Sequence, residues 1–404
     1  MLSYKFRMYP NKEAQRKLAD QLKLCAALYN HLLEEVNKAG EENRRITQGD
    51  TQRLITKLKK ENPEFDSVYS KALQMVNNIF WYNIQSQNGL RRNGRKAGKL
   101  RYKAENSFKV LNYNQSGFVI NTKAKKIEFS KLGSVNVKLN RRIEGKVKGI
   151  TIKREFDNWF AIIQIDAPRH ELPKTGKSVG IDLGVCNLIA DSDGRIVGNP
   201  HFLDNNISEI RMAHRNLSRK KRDSKNFEKE KQRMGKRYMK INNRRKDFLH
   251  KLSRYYINNF DAIAIEDLDI KGLTGKGRGR TLHRNISDAA WRTYRDMLSY
   301  KAERAGRRLV FVNPKDTSQK CSRCGNVKSE NDRLLLHDRL YKCKICGFES
   351  DRDYNASVNI LKSGLGQPEV PLETLPLPRV ISYNDINLGQ VLSMNKETHV
   401  FKRG

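Results

Sequence analysis

The chain has 404 residues, enough for two or three folded units and too long for a small scaffold held by staples. Its 80 Lys and Arg against 44 Asp and Glu give a formal net charge of +36 at pH 7, which repels itself unless a polyanion neutralises it, and nucleic acid is the polyanion so indicated. It has no run of about 20 apolar residues, no amphipathic anchor and no lipidation motif. The opening Met1-Leu2-Ser3-Tyr4-Lys5-Phe6-Arg7 also lacks the apolar core of a signal peptide, so the expectation is a cytoplasmic protein without a membrane partner, its thiols kept reduced.

Tyr4, Phe6 and Met8 alternate with Lys5 and Arg7 up to Tyr9-Pro10, the pattern of a short strand. From Lys12 to about Lys38 the apolar residues recur at helical spacing and Gly40 closes the segment. Further helices are predicted near Thr51 to Leu58 and Ser67 to Gln87, before the basic stretch Arg91 to Lys99. From Ser107 to Asp166 the texture turns to β, with runs at Phe118–Ile120, Lys126–Phe129, Val135–Leu139, Ile150–Ile152 and Trp159–Ile165, which predicts a small barrel. The first strand would have no partner unless it joins that barrel, which makes residues 11 to about 100 a helical insertion. Glu209 to Arg254 holds 18 Lys and Arg against 5 Asp and Glu, more cations than pairing along a helix can neutralise, and predicts helices that bind a phosphate backbone. After Leu361 the periodicity is lost among prolines, and residues 363–404 read as a disordered tail.

Three acids stand where strands or helices end. Asp182 lies within the apolar run Val179-Gly180-Ile181-Asp182-Leu183, where a charge is costly unless it is paired or holds metal. A solvent-facing turn acid is the reading that suits Asp191 and Asp193 instead. Glu266 ends the run Ala262-Ile263-Ala264-Ile265, with Asp267 and Asp269 as runners-up. The third is in Ser350-Asp351-Arg352-Asp353, where Ser350 and Asp353 also fit a capping box and Asp351 suits a helix N-terminus. Together such acids suit phosphodiester hydrolysis with two Mg²⁺ ions about 3.5 to 4 Å apart.

Cys321-Ser322-Arg323-Cys324 and Cys343-Lys344-Ile345-Cys346 form two C-x-x-C pairs, each followed by glycine (Gly325, Gly347). This is the spacing of a closed, structural Zn²⁺ site, with Cys321, Cys324, Cys343 and Cys346 as ligands. Cys25 and Cys186 lie in apolar contexts and are expected in cores.

Gly180-Ile181-Asp182-Leu183-Gly184, Ile265-Glu266-Asp267-Leu268, Thr317-Ser318-Gln319-Lys320-Cys321-Ser322-Arg323-Cys324-Gly325 and Asp351-Arg352-Asp353-Tyr354-Asn355-Ala356 resemble the TnpB family, transposon-encoded RNA-guided DNA nucleases related to type V CRISPR effectors. Tyr4 to Pro10 and Ser393 to His399 are similar to that family's ends, so the resemblance runs along essentially the whole chain. It implies a multidomain α+β protein: a β-barrel wedge domain (1–10 and 101–172), a helical recognition domain (11–100), an RNase H-like (RuvC) α/β nuclease domain (173–317 and 351–362) and a zinc-ribbon insertion (318–350). It implies Asp182, Glu266 and Asp353 as the catalytic Mg²⁺ ligands, with Asp351 as a cap. The implied partners are a guide RNA from the 3′ end of the transposon and a double-stranded DNA target beside a short adjacent motif, bound by a monomer carrying one RNA. Lys71, Gln74, Asn78, Tyr113 and Asn114 are candidates for reading that motif. The expected setting is a prokaryotic cytoplasm, at the nucleoid when DNA is bound. The alternatives are a nuclease-inactive RNA-guided repressor, against which the full set of acids speaks, and a transposase accessory DNA-binding protein, which leaves those acids unexplained.

Overall fold

Alternating side chains build the first strand, β1 (Leu2–Tyr9), whose Phe6 and Met8 are buried while Lys5 and Tyr9 are exposed. The computed structural model describes residues 1–366 and 379–381, except residues 106, 276–278 and 336. It divides into two compact units, Met1–Pro168 and Arg169–Gly404.

In the first unit β1 is followed by α1 (Lys12–Glu41), α2 (Gln48–Glu61) and α3 (Ser70–Arg92), then by β2 (Val110–Asn114), β3 (Phe118–Asn121), β4 (Lys126–Phe129), β5 (Gly133–Lys138), β6 (Lys146–Glu155) and β7 (Asn158–Asp166). Asn11 caps α1 by accepting from the Ala14 N–H, and Thr47 with Asp50 closes a capping box on α2. The first helix runs through Gly40 to Glu41 instead of stopping at the glycine, and the third starts at Ser70 after a short 3-10 turn. The seven strands form one antiparallel sheet in the order β2-β6-β7-β1-β5-β4-β3, a nearly closed barrel. β1 lies inside it, pairing Phe6 with Ala161 of β7 and Met8 with Val137 of β5. Strand β2 has no counterpart among the predicted runs: its alternation is short, with only Leu111 and Tyr113 buried, and its outward positions include Asn112 and Asn114, a residue type that strands disfavour.

The second unit begins with the meander β8 (Ser178–Leu183), β9 (Asn187–Asp191) and β10 (Arg195–Gly198). The helices α4 (Ile207–Ser218) and α5 (Lys225–Asn259) follow, then β11 (Ala262–Glu266), α6 (Ile270–Leu273), α7 (Arg280–Ala289), α8 (Trp291–Ala305) and β12 (Arg308–Val312). The two-stranded hairpin β13 (Leu340–Lys342) and β14 (Glu349–Asp351) precedes α9 (Arg352–Leu365). A last strand, β15 (Arg379–Ile381), completes a sheet of order β12-β11-β8-β9-β10-β15. In it β8, β11 and β12 run parallel, as β-helix-β connections require. The tail expected over residues 363–404 falls largely outside the described residues; within it, α9 continues to Leu365 and β15 pairs parallel with β10. No helix among the described residues is long and apolar enough to cross a membrane.

One face of the sheet carries Ile181, Ile263 and Ile265 against Phe248, Leu252 and Tyr256 of α5 and Leu298 of α8. The opposite face receives α9, and the sequence leaves room for it: Gly180 and Ala264 are cross-strand partners there. A Cβ on Gly180 would lie 2.1 Å from the Ser357 carbonyl oxygen and 2.6 Å from the Leu361 nitrogen, both backbone atoms of α9. Gly180→Ala is therefore expected to push the helix off the sheet at a cost of about 1–3 kcal/mol. Calorimetric melting of the variant checks this, and an unchanged Tm would refute it.

Candidate functional site

Ile181 and Ile265 are register partners on the parallel strands β8 and β11, so the next residues, Asp182 and Glu266, stand side by side at the strands' C-terminal ends. They share the face of Gly180 and Ala264, which is the face covered by α9. The first turn of α9 supplies Asp353, whose Oδ2 is 3.6 Å from Nη1 of Arg339 and 3.5 Å from Nδ2 of Asn187. Glu266 is buried, and its Oε1 accepts from the Thr317 hydroxyl at 2.6 Å.

Burial holds the Asp182 carboxyl well above the usual carboxylate range, and the charges of Glu266 and Asp353 raise it further while Arg352 opposes them. Burial also raises Glu266 against the Thr317 hydrogen bond, and raises Asp353, to which Asp351 adds while Arg339 opposes. Asp182 is thus the carboxyl whose proton affinity the other two acids raise, and all three offer oxygen, the donor type that a hard divalent cation would accept.

Asp351 occupies a different place. It is the N-cap of α9 and accepts from the Tyr354 N–H at 2.9 Å, so the cap is Asp351 and not the Ser350 hydroxyl of the alternative capping box. Two other sequence expectations are corrected. Asp191 does not face solvent: it is fully buried, accepting from the N–H groups of Asp193 and Arg195 and from the Tyr256 hydroxyl at 2.8 Å, whereas Asp193 is exposed. Cys186 is exposed, because its apolar neighbourhood is the turn between β8 and β9, and its Sγ lies 3.1 Å from Nη2 of Arg339; Cys25 is buried in the core.

The four remaining cysteines converge, with their sulfurs all within 4.8 Å of one another. Cys321 and Cys346 are 3.7 Å apart and Cys324 and Cys343 are 3.6 Å apart. Tetrahedral zinc with bonds of about 2.3 Å needs sulfurs separated by about 3.8 Å, so the set fits Zn²⁺ before any adjustment. The two knuckles are built alike: Gly325 and Gly347 both have positive φ and donate to the carbonyls of Cys321 and Cys343.

The five candidate motif-reading residues are placed differently from one another. Lys71 reaches Ser116 Oγ at 3.1 Å, Gln74 and Asn78 are exposed on α3, and Asn78 accepts from Gln48 at 2.7 Å. Asn114 is half-buried, with its Oδ1 unbonded. Tyr113 is 1% exposed, stacked on Tyr69 at 5.2 Å, and its hydroxyl donates to the Ser130 carbonyl, so its side chain serves packing. The contacts of Thr317 and Arg339 with the acids escaped the sequence reading; Thr317 stood in a recognised motif without a chemical task, and Arg339 carried no signal.

Residues 161–276 match the OrfB_IS605 family, described as "Probable transposase", and residues 291–360 match the "Cas12f1-like, TNB domain". Residues 1–45 match a family described as a helix-turn-helix domain, although they form one strand and one long helix, so that label carries no structure here. The chain is 29% identical over 374 residues to a Streptomyces pristinaespiralis protein named "Putative RNA-guided DNA endonuclease", covering 90% of this chain and 89% of that one. It is 25% identical to the TnpB-like protein L79 of Acanthamoeba polyphaga mimivirus, over 90% of this chain and 73% of the other. Among solved structures, a Cas12f1–sgRNA–target DNA complex matches with a TM-score of 0.52 at 15% identity, covering 85% of this chain and 82% of the other, a likeness of fold.

Asp351→Ala removes one hydrogen bond from the first turn of α9 and is expected to cost about 1 kcal/mol. Asp351→Asn keeps the acceptor and should cost less. Thermal melting of both variants checks the order, and equal losses would contradict the capping role.

Proposed function

The chain belongs to the TnpB family, and on that premise we propose that it is an RNA-guided DNA endonuclease of a transposable element, cutting guide-matched duplex DNA beside a short adjacent motif. The observation that carries this reading is the meeting of Asp182, Glu266 and Asp353, from two adjacent strand ends and one helix start, on a single face of the sheet. A binding protein has no use for a buried Asp182 whose proton affinity two neighbouring acids, Glu266 and Asp353, raise further.

In this reading the second unit is an RNase H-like (RuvC) nuclease domain (173–317 and 351–362) interrupted by the zinc ribbon (318–350), and the first contains the recognition helices (11–100) and the wedge barrel (1–10 and 101–172) apart from its last four residues, which fall in the second unit. Asp182, Glu266 and Asp353 would hold the Mg²⁺, which would supply Lewis acidity for hydrolysis of the scissile phosphodiester. Asp182 and Glu266 hold the site from the rigid sheet, and Asp353 closes it from the helix. Arg339 lies close enough to Asp353 to balance its charge. The exposed cations of α4 and α5 suit a nucleic-acid backbone gripped by shape and charge while base pairing with a guide reads sequence. The guide is drawn from the 3′ end of the transposon, one RNA per monomer, and the complex works in the cytoplasm at the nucleoid. Lys71, Gln74, Asn78 and Asn114 remain the candidates for reading the adjacent motif.

Asp182→Ala, Glu266→Ala and Asp353→Ala are each expected to abolish cleavage and leave guide-directed DNA binding near the wild-type level, whereas Asp351→Ala still cuts. The decisive assay mixes the native complex, and a complex with a reprogrammed guide, with matched and mismatched plasmids in Mg²⁺. Cutting that ignores the new guide would remove the RNA-guided reading and leave the nuclease. The cysteine set should hold one Zn²⁺ per chain as folding free energy. Elemental analysis of the purified protein is expected to show that zinc in the wild type and its loss in Cys343→Ser; wild type without zinc would overturn the assignment.

A further inference from the structure

Thr317 opens the motif Thr317-Ser318-Gln319-Lys320 that leads into the first cysteine knuckle, and the reaction set out above gives it no task. Its side chain is buried. The hydroxyl donates to Glu266 Oε1 at 2.6 Å, and among the described residues its other acceptor is the Pro314 carbonyl at 3.2 Å. A hydroxyl carries one proton, and beside a carboxylate anion the short, charge-assisted bond takes it. That bond engages Oε1 and leaves Oε2 of Glu266 outside it.

Thr317 is itself held by the helix that carries Asp353. Its carbonyl accepts from Asn359 Nδ2 at 2.9 Å, and the same amide reaches the Lys320 carbonyl at 2.7 Å. One turn earlier, Asn355 donates to the Lys320 carbonyl at 2.8 Å and accepts from the Ser322 N–H at 2.9 Å. Lys362 Nζ donates to the Ser322 carbonyl at 2.7 Å. Asn355, Asn359 and Lys362 are spaced four and three residues apart, one face of α9. Asn355 and Asn359 are 0% and 3% exposed, and buried amides with their bonds made specify a unique arrangement. The first turn of α9 thus presents Asp353, its later turns grip the chain at Thr317 and at the knuckle, and Thr317 grips Glu266.

We infer that Thr317 is a positioning residue that orients the Glu266 carboxylate for the divalent cation, held in place by Asn359 and the knuckle beside it. The inference rests on the carboxylate reading proposed above. Outer partners of metal-binding carboxylates typically change metal affinity by about 10–100-fold when removed. Thr317→Val keeps the shape and deletes the donor; Thr317→Ser keeps the donor and deletes a methyl.

The test uses the native protein–RNA complex with ferrous iron and ascorbate, which cut a polypeptide where iron binds, and mass spectrometry to locate the cuts. The Mg²⁺ concentration that halves scission beside the three acids measures affinity without relying on DNA cleavage. Thr317→Val is expected to raise that concentration, and the Mg²⁺ requirement for DNA cutting, roughly 10-fold or more, while Thr317→Ser stays within about threefold of wild type. Zinc content and guide-directed DNA binding should not change in either. Thr317→Ala, measured in parallel, should shift as valine does and stands in for it if valine impairs folding. A valine variant that matches wild type, a serine variant as impaired as valine, or zinc loss in either would overturn the inference. Asp182→Ala separates the two levels: scission at the acids that survives it defeats the carboxylate reading, whereas scission lost in Asp182→Ala with a normal Thr317→Val defeats this inference alone.

Discussion

How closely α9 can lie on the sheet decides the rest of the site. Two of the three acids are fixed by strand register alone, since Asp182 and Glu266 follow a paired Ile181 and Ile265. The third comes from a helix, and a helix usually rides well above a sheet on its side chains. Here Gly180, opposite Ala264, lets the backbone at Ser357 and Leu361 descend onto β8, and Gly364 packs against Ala264 and Val312 farther along. The descent at Ser357, one turn from Asp353, brings the helix start within electrostatic reach of the strand ends. The absence of one methyl group is thus as much a part of the site as its carboxylates.

What a sequence discloses depends on how local the cause is. Strand ends are local: an apolar run stops at an acid, and Asp182 and Glu266 were visible for that reason. Cysteine pairs with glycines behind them are local too. Asp191 was misjudged because its burial depends on Tyr256, 65 residues away, whose hydroxyl reaches its carboxylate. Cys186 was misjudged in the other direction, since apolar neighbours describe a core or a tight turn equally well and only the pairing of β8 with β9 distinguishes them. Tyr113 stands beside Asn114 as a candidate for reading the adjacent motif until its stacking on Tyr69 and its contact with Phe129 are seen. The clamp of α9 on the residues before Cys321 spans some forty positions and has no local signature.

The second unit places two unlike donor groups near one helix, which bonds the chain at the first knuckle and carries Asp353 in its first turn. Sulfur closes on itself in the knuckles, while the carboxylates line a site bordered by Arg339, Asn187 and Thr317. A soft, saturated centre suits a fixed scaffold, and a hard oxygen set suits ions that come and go with substrate. The buried Asn355 and Asn359 join the two without lending a ligand to either.

The seat of β1 between β7 and β5 bears on how the polypeptide is made. A strand made before three helices finds one neighbour only at Gly133–Lys138 and the other only at Asn158–Asp166. Until then its edges are bare, and the three helices that follow must form while it waits. The chain through β7 must therefore be made before the barrel can close. A segment so exposed during that interval is safest if it repels copies of itself, and the outward-facing Lys5 and Arg7 of β1 supply that repulsion.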